Sequence, residues 1–204
     1  MNVFWLIISP LFGFACGSIP FGHLAGIINK IDIRKKGSGN IGFTNVARTI
    51  GLIWAIPVLI LDIAKGMVPV AFARHLNLSS ALVGLGAITG HIFTPWLKFQ
   101  GGKGVATTIG VTALLCPKSL FAGIAIYLIV LLISGFISLS SLVFALTLPI
   151  LTWLFYPNNL ALLVFTAGAG IIIIIRHIAN IRRLLNKTEP RFGLWLKIFR
   201  PEVR

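Results

Sequence analysis

Carboxylates are scarce in this chain of 204 residues: four in all, Asp32, Asp62, Glu189 and Glu202. So few oxygen ligands argue against a resident catalytic metal of the magnesium or calcium type. Cysteine is scarcer still. Cys16 and Cys116 lie in separate apolar segments, which suggests neither a disulfide framework nor a metal pair. Several enzyme signatures are also missing. There is no G-x-S-x-G elbow and no H-E-x-x-H, and His23, His75 and His91 have no aspartate placed for an H-x4-D acid/base pair. Charge is absent altogether from Ser119 to Ile175, a run that holds two or three bilayer crossings at roughly 20 residues each. No internal repeat or low-complexity tract is evident. The N-terminal apolar run lacks a basic leader and a clear cleavage site, so it reads as a retained helix.

What is present is apolar residue and positive charge. The chain is 57% hydrophobic and 11% charged, with a mean hydropathy of +0.97. That is the composition of a polytopic membrane protein. Apolar segments fall at 3–28, 50–73, 77–97, 104–117, 119–134, 138–156 and 159–181, separated by polar or turn-forming residues. The expected fold is all-α, with seven transmembrane helices in one domain spanning 1–204. The segment 104–117 reaches only about 20 Å as a helix, short of the roughly 30 Å hydrocarbon core. Such a helix can begin inside the bilayer only if its free N–H groups find partners.

Eighteen Lys and Arg residues face the four acids, which suits anionic lipid and phosphorylated substrates better than nucleic acid. With the N-terminus outside, segments 29–49, 98–103, 135–137 and the C-terminal end lie inside and hold fifteen of the basic residues. Only Arg74 and Lys118 lie outside, and Lys65 is within a helix. This bias predicts an outside N-terminus and a cytosolic C-terminus. A five-helix alternative with 77–117 as a re-entrant pair puts the glycine-rich turn on the other face. Seven helices gather the polar blocks on one face.

There are three such blocks. The first runs Gly37-Ser38-Gly39-Asn40-Ile41-Gly42-Phe43-Thr44-Asn45-Val46-Ala47-Arg48. Its donors, spaced by glycines, can wrap an anion, and Arg48 can clamp it with two parallel bonds. The same residues also make an ordinary polar connector. The second runs from Gly90-His91 through Lys98 into Gln100-Gly101-Gly102-Lys103-Gly104-Val105-Ala106-Thr107-Thr108. A glycine turn opening a helix, with one lysine, suits phosphate. It is not a soluble P-loop, because Gly104 follows the lysine where a hydroxyl is needed. A tight turn with a snorkelling lysine is the plainer reading. In the third, His177 and Asn180 are three residues apart on one helix face, followed by Arg182, Arg183 and Glu189. Asp62 and Lys65, also three apart, are charges at membrane depth, read as paired and structural.

Together these blocks resemble the bacterial acyl-phosphate:glycerol-3-phosphate acyltransferase family, over nearly the whole chain. The pattern G-S-G-N-x-G-x-T-N-x-x-R matches Gly37 to Arg48, G-H with F-x-G-G-K-G-V-A-T matches Gly90, His91 and Phe99 to Thr107, and H-x-x-N-x-x-R-L-x-x-G-x-E matches His177 to Glu189. Asn186 is read as standing for the Gly of the third pattern; asparagine tolerates a left-handed backbone, so the turn is expected to survive. Ser-Ile-Pro-Phe-Gly at 18–22 is similar to the family too. The resemblance implies acyl transfer from acyl phosphate to the 1-hydroxyl of glycerol 3-phosphate, giving lysophosphatidate and phosphate. It implies no metal, no cofactor and no nucleic acid. A plasma-membrane location with a cytosolic site is expected; a monomer is the working expectation, and the sequence does not fix the oligomeric state. Ser38, Arg48, Lys103, His177 and Asn180 become the catalytic set. Gly39, Asn40, Thr44, Asn45, Gly101, Gly102, Gly104 and Arg183 become phosphate-binding, while Asp62, Lys65, His91 and Glu189 stay structural. His177 has two open roles, general base or phosphate holder. The competing class is a transporter of an anionic metabolite, where broken helices also point N-termini at anions. Transporters of that kind usually show paired halves, and none is visible.

Overall fold

The computed structural model describes residues 3–73 and 75–193. Arg74, Lys197, Arg200, Glu202 and Arg204, which enter the charge inventory, lie outside the described residues. Among the described residues the regular structure is entirely helical. The α-helices are α1 (Val3–Gly17), α2 (Phe21–Ile28), α3 (Phe43–Ile50), α4 (Leu52–Ala73), α5 (Ser80–Ile92), α6 (Val105–Leu115), α7 (Pro117–Ser134), α8 (Ile137–Phe155), α9 (Leu160–Arg176) and α10 (Ile178–Leu185). Among the described residues, five segments are long and apolar enough to cross a membrane: Val3–Ile28, Leu52–Ala73, Ser80–Leu97, Pro117–Ser134 and Ile137–Phe155. The pair α9 and α10, bent by 58°, brings the number to six if it is one span, and α6 is a shorter apolar helix. Large apolar side chains such as Ile53, Phe121 and Ile133 stay exposed, as expected of surface that meets lipid. The chain forms two compact units, Met1–Pro117 and Lys118–Arg204.

In the first unit, α1 packs on α5 through glycines. Gly13 and Gly17 share one face of α1, and Gly86 and Gly90 share one face of α5. A Cβ on the first pair would overlap the carbonyls of Val83 and Ala87, and one on the second pair those of Pro10 and Phe14. Small residues at four-residue spacing let helix backbones touch in lipid. Likewise α4 meets α6 where Gly66 faces the Thr107 carbonyl and Gly110 faces the Ile63 carbonyl.

The break between α1 and α2 has a local cause. Pro20 has no N–H to continue a helix and pushes Ile19 out of the helical region. The carbonyls left over are taken from a distance: Thr94 Oγ1 donates to Ser18 O at 2.6 Å and Lys65 Nζ to Ile19 O at 2.7 Å. The segment expected to be a loop between α2 and α4 contains α3. A small apolar cluster seats it, with Ile33, Ile41, Val46 and Leu97 packed among Ala25, Ala55 and Val58.

In the second unit, α8 packs on α9 with Gly170 against the Ala145 carbonyl, and the Phe144 ring lies beside Gly123 of α7. Buried hydroxyls on α8 bond back to their own helix, Ser140 to Phe136 O at 3.0 Å and Thr152 to Leu148 O at 2.8 Å. That is how polar side chains are satisfied where water is absent.

Candidate active site

The first polar block is a folded loop, and Asn45 organises it. Its side chain donates to Ile33 O at 2.9 Å and Lys36 O at 3.1 Å and accepts the Ser38 N–H at 2.8 Å. Asn45 is fully buried, and its bond to Ile33 O is buried at both ends. Asn40 Oδ1 accepts the Gly42 N–H at 2.8 Å, a side-chain turn that leads into α3. Gly37 and Gly39 have φ of +60° and +70°, which only glycine adopts readily. Asn40 and Asn45, expected as ligand donors, therefore hold the loop's shape. Ser38 and Arg48 are exposed, and Thr44 and Gly39 are half-buried. Nearby, Arg34 grips Asp32 with both arms, at 2.9 and 3.0 Å, and its hydrogen bond holds that carboxyl down to about 2.

Leu97 belongs to the same apolar cluster as Ile33 and Val46, so the approach to the glycine turn is packed against the first block. Lys98 and Phe99 are both left-handed, at φ 52° and 62°. Non-glycine residues rarely adopt that conformation, and here it reverses the chain sharply after the Pro95–Leu97 turn. The Gly101 N–H then bonds Ile92 O at 2.9 Å and the Gly102 N–H bonds His91 O at 3.1 Å. These amides were expected to face a ligand; each is engaged by the end of α5 instead. The groups that remain suited to an anion lie one step on. Gly104, at φ +90°, is the N-cap of α6 and supplies no side-chain cap. The first-turn N–H groups of a helix have no partner inside it, and they carry partial positive charge. Lys103, half-buried, immediately precedes them. In the same turn, the hydroxyls of Thr107 and Thr108 are buried without a hydrogen-bond partner among the described residues. Sequence reasoning missed both; the signal was two adjacent threonines directly after the lysine turn.

Behind the turn lies a buried charged group. Lys65 Nζ is 2.8 Å from Asp62 Oδ1 and His91 Nδ1 is 3.6 Å from the same oxygen. All three side chains are about 3–4% exposed. Lys65 also sits 5.5 Å from the Phe21 ring centroid. The expected pairing of Asp62 with Lys65 is present, and His91 joins it.

In the second unit, α9 ends at Arg176, and His177 forms the joint with α10. His177 and Asn180 therefore flank a bend rather than sharing one helix. His177 Nδ1 is 2.8 Å from Ile173 O. A carbonyl only accepts, so Nδ1 carries the hydrogen, and in the neutral ring Nε2 is an acceptor. Glu189 is gripped by Asn180 Nδ2 at 2.7 Å and Arg183 Nε at 2.6 Å. Burial works to raise its carboxyl, but the nearby Ser138 hydroxyl, Asn180 and Arg183 together hold it below the usual carboxylate range. The turn before it closes with Lys187 N–H on Leu184 O at 3.1 Å and Thr188 N–H on Arg183 O at 2.8 Å. This is a Schellman closure. Its left-handed residue is Lys187, at φ 58°, whereas Asn186 at φ −81° is the C-cap. The expected left-handed Asn186 is corrected accordingly: counted from His177, the pattern's Gly falls at position 187, so Lys187 stands in its place and takes its left-handed backbone.

Among the described residues, no three His, Cys, Asp or Glu side chains form a metal-holding group. The chain matches the family model described as glycerol-3-phosphate acyltransferase over residues 7–187. A glycerol-3-phosphate acyltransferase of Trichlorobacter lovleyi is 39% identical over 194 residues, covering 94% of this chain and 97% of that one. Crystal structures of PlsY (YgiH), an integral membrane glycerol 3-phosphate acyltransferase, share the fold. The glycerol 3-phosphate form superposes with a TM-score of 0.87 at 32% identity, covering 96% of this chain and 99% of that one. The lysophosphatidic acid form gives 0.86 at 31%, with the same coverage.

Proposed function

The chain belongs to the glycerol-3-phosphate acyltransferase family, and from that premise we propose a donor, a division of labour among its residues and a topology. It is a membrane enzyme that acylates glycerol 3-phosphate, the first step of phospholipid synthesis. The proposed donor is an acyl phosphate. The observation that carries this reading is Lys103 standing directly before the uncapped first turn of α6, an anion site without a nucleophile. Acyl phosphate arrives activated, so positioning and charge stabilisation suffice and no serine nucleophile is needed.

In the reaction, the 1-hydroxyl oxygen of glycerol 3-phosphate attacks the donor's carbonyl carbon. The new ester C–O bond forms, the C–O bond to phosphate breaks, and phosphate leaves with the bonding pair. The hydroxyl proton goes to a phosphate oxygen. Lys103, the α6 amides, Arg48 and Ser38 hold the two phosphates. His177 Nε2 accepts a hydrogen bond from the attacking hydroxyl and aims it. Asn180 and Arg183 are assigned to the same reaction by the family pattern, on a turn that Glu189 fixes, while Gly39, Asn40, Thr44, Asn45, Gly101, Gly102 and Gly104 shape the phosphate loops.

The proposed topology has seven spans, α6 being the short one, with an outside N-terminus, a cytosolic C-terminus and the site on the cytosolic face of the bacterial inner membrane. Its support is the fifteen-to-two basic bias. The full chain acts as one domain and as a monomer. The test is phosphate release by purified protein given palmitoyl phosphate and glycerol 3-phosphate. Activity is expected with this donor, not with acyl-CoA, and without loss in EDTA. Equal rates with acyl-CoA, or a chelation loss restored by a divalent ion, refutes the donor assignment. Cysteines placed at Ser38 and Gln100 are expected to label from the same side of the membrane; opposite sides refute the topology.

A further inference from the structure

Gly102 is buried, and a Cβ there would overlap the His91 imidazole at Nε2, Cε1 and Cδ2. The ring therefore lies directly against the backbone of the turn. Two main-chain bonds fix the same contact, Gly101 N–H to Ile92 O at 2.9 Å and Gly102 N–H to His91 O at 3.1 Å. On the ring's other side, Nδ1 is 3.6 Å from Asp62 Oδ1. Asp62 is in turn neutralised by Lys65 at 2.8 Å, and Lys65 is tied to Ile19 O at 2.7 Å. A histidine kept only for volume needs no carboxylate beside it. A carboxylate at membrane depth is costly and usually functional. The arrangement runs from the α1–α2 break through α4 and α5 to the residue before Lys103.

We propose that His91 is a positioning residue for the phosphate-holding turn, its ring oriented by Asp62. The inference rests on the reading that Lys103 and the first turn of α6 hold the phosphate of glycerol 3-phosphate. The ring edge sets how far Gly102 can settle toward α5, and so where Lys103 and the α6 amides lie. Its loss weakens phosphate binding more than turnover.

The test uses the full-length enzyme with palmitoyl phosphate, and measures KM for each substrate, kcat and thermal stability. His91→Ala is expected to raise KM for glycerol 3-phosphate roughly 10- to 100-fold, on the order of one lost hydrogen bond to a charged group, with kcat much less affected. Asp62→Asn shifts the same constant in the same direction. Gly102→Ala is impaired by its overlap with the ring. His91→Ala/Gly102→Ala binds glycerol 3-phosphate better than Gly102→Ala alone, because the methyl occupies the vacated space. His91→Asn is measured beside these, so that a folding loss in the alanine variant does not end the test. If His91→Ala and His91→Asn lower stability with every KM unchanged, or if the double variant is worse than both singles, the inference is overturned. Lys103→Gln separates the two readings. Should it raise KM for palmitoyl phosphate rather than glycerol 3-phosphate, the assignment of the turn fails. The His91 variants then keep the positioning role if they follow the donor KM, and lose it if they move neither.

Discussion

Asp62 and Lys65 form a buried ion pair whose single and double removal should behave very differently. Their side chains are each 3% exposed and 2.8 Å apart. Asp62→Asn leaves a lysine ammonium without its counter-charge. It keeps the Ile19 carbonyl at 2.7 Å and the Phe21 ring at 5.5 Å, so the loss falls at the low end of the usual range for breaking a buried pair, about 3 kcal/mol. Lys65→Met leaves the carboxylate with only His91, at 3.6 Å, and should cost a similar amount, about 3 kcal/mol. The double variant removes both charges. What remains lost is the bond to Ile19 O, about 1–2 kcal/mol. For a chain of this size, each single change should lower Tm by about 6–12 °C and the double by about 2–8 °C. Thermal unfolding in detergent, followed by tryptophan fluorescence, reads all four proteins. A double variant that falls by the sum of the singles refutes the reasoning, because additivity means the two side chains do not interact.

Lys187→Gly should stabilise the protein by about 1 kcal/mol, since the left-handed backbone there burdens any side chain; an unchanged or lowered denaturation midpoint contradicts the turn geometry. Glu189 has a depressed carboxyl pKa, so its contribution is full above the ordinary value of 4.5 and is lost as pH falls through its lower folded value. Stability measured from pH 6 downward should therefore show an acid loss that Glu189→Gln lacks, and identical profiles would deny the Asn180–Glu189–Arg183 grip. At His177, Ala should be nearly inactive, whereas Asn or Gln should retain measurable turnover, because either amide can still accept a hydrogen bond from the hydroxyl. Loss of about 10²–10⁴ in both, with an unchanged Tm, would favour an obligatory base instead.

Helix placement was legible where the apolar runs are long and their breaks are chemically loud: the Lys98–Lys103 stretch, Ser134-Gly135 and Tyr156-Pro157 all fall between or at the ends of helices, whereas the break at Pro20 inside the expected 3–28 segment was missed. The pairing of Asp62 with Lys65 was legible from spacing alone. What stayed hidden depends on partners far along the chain. Asn45 looked like a ligand donor, yet its bonds go to carbonyls nine and twelve residues earlier. Helix α3 looked like a loop, since glycine, serine and asparagine precede it and its seat comes from Ile33, Ala55 and Leu97. Gly101 and Gly102 were read as opening amides to a ligand. Their small size instead admits the end of α5 and the His91 ring. The left-handed residue was legible and misplaced by one: counted from His177, the third pattern's Gly falls on Lys187, not on Asn186.

The interruption at Pro20 also bears on how the chain is made. The two carbonyls it exposes wait for donors 46 and 76 residues later in the sequence. At synthesis rates of about 5–20 residues per second, that is roughly 2–9 s for Lys65 and 4–15 s for Thr94. During that interval the nascent segment carries under-satisfied backbone carbonyls, an arrangement the bilayer interior disfavours. The newly inserted N-terminal segment is thus unfinished until its fourth and fifth helices arrive. A chain stopped before Lys65 lacks both long-range donors, and Ile19 O keeps only the local Phe21 N–H at 3.2 Å.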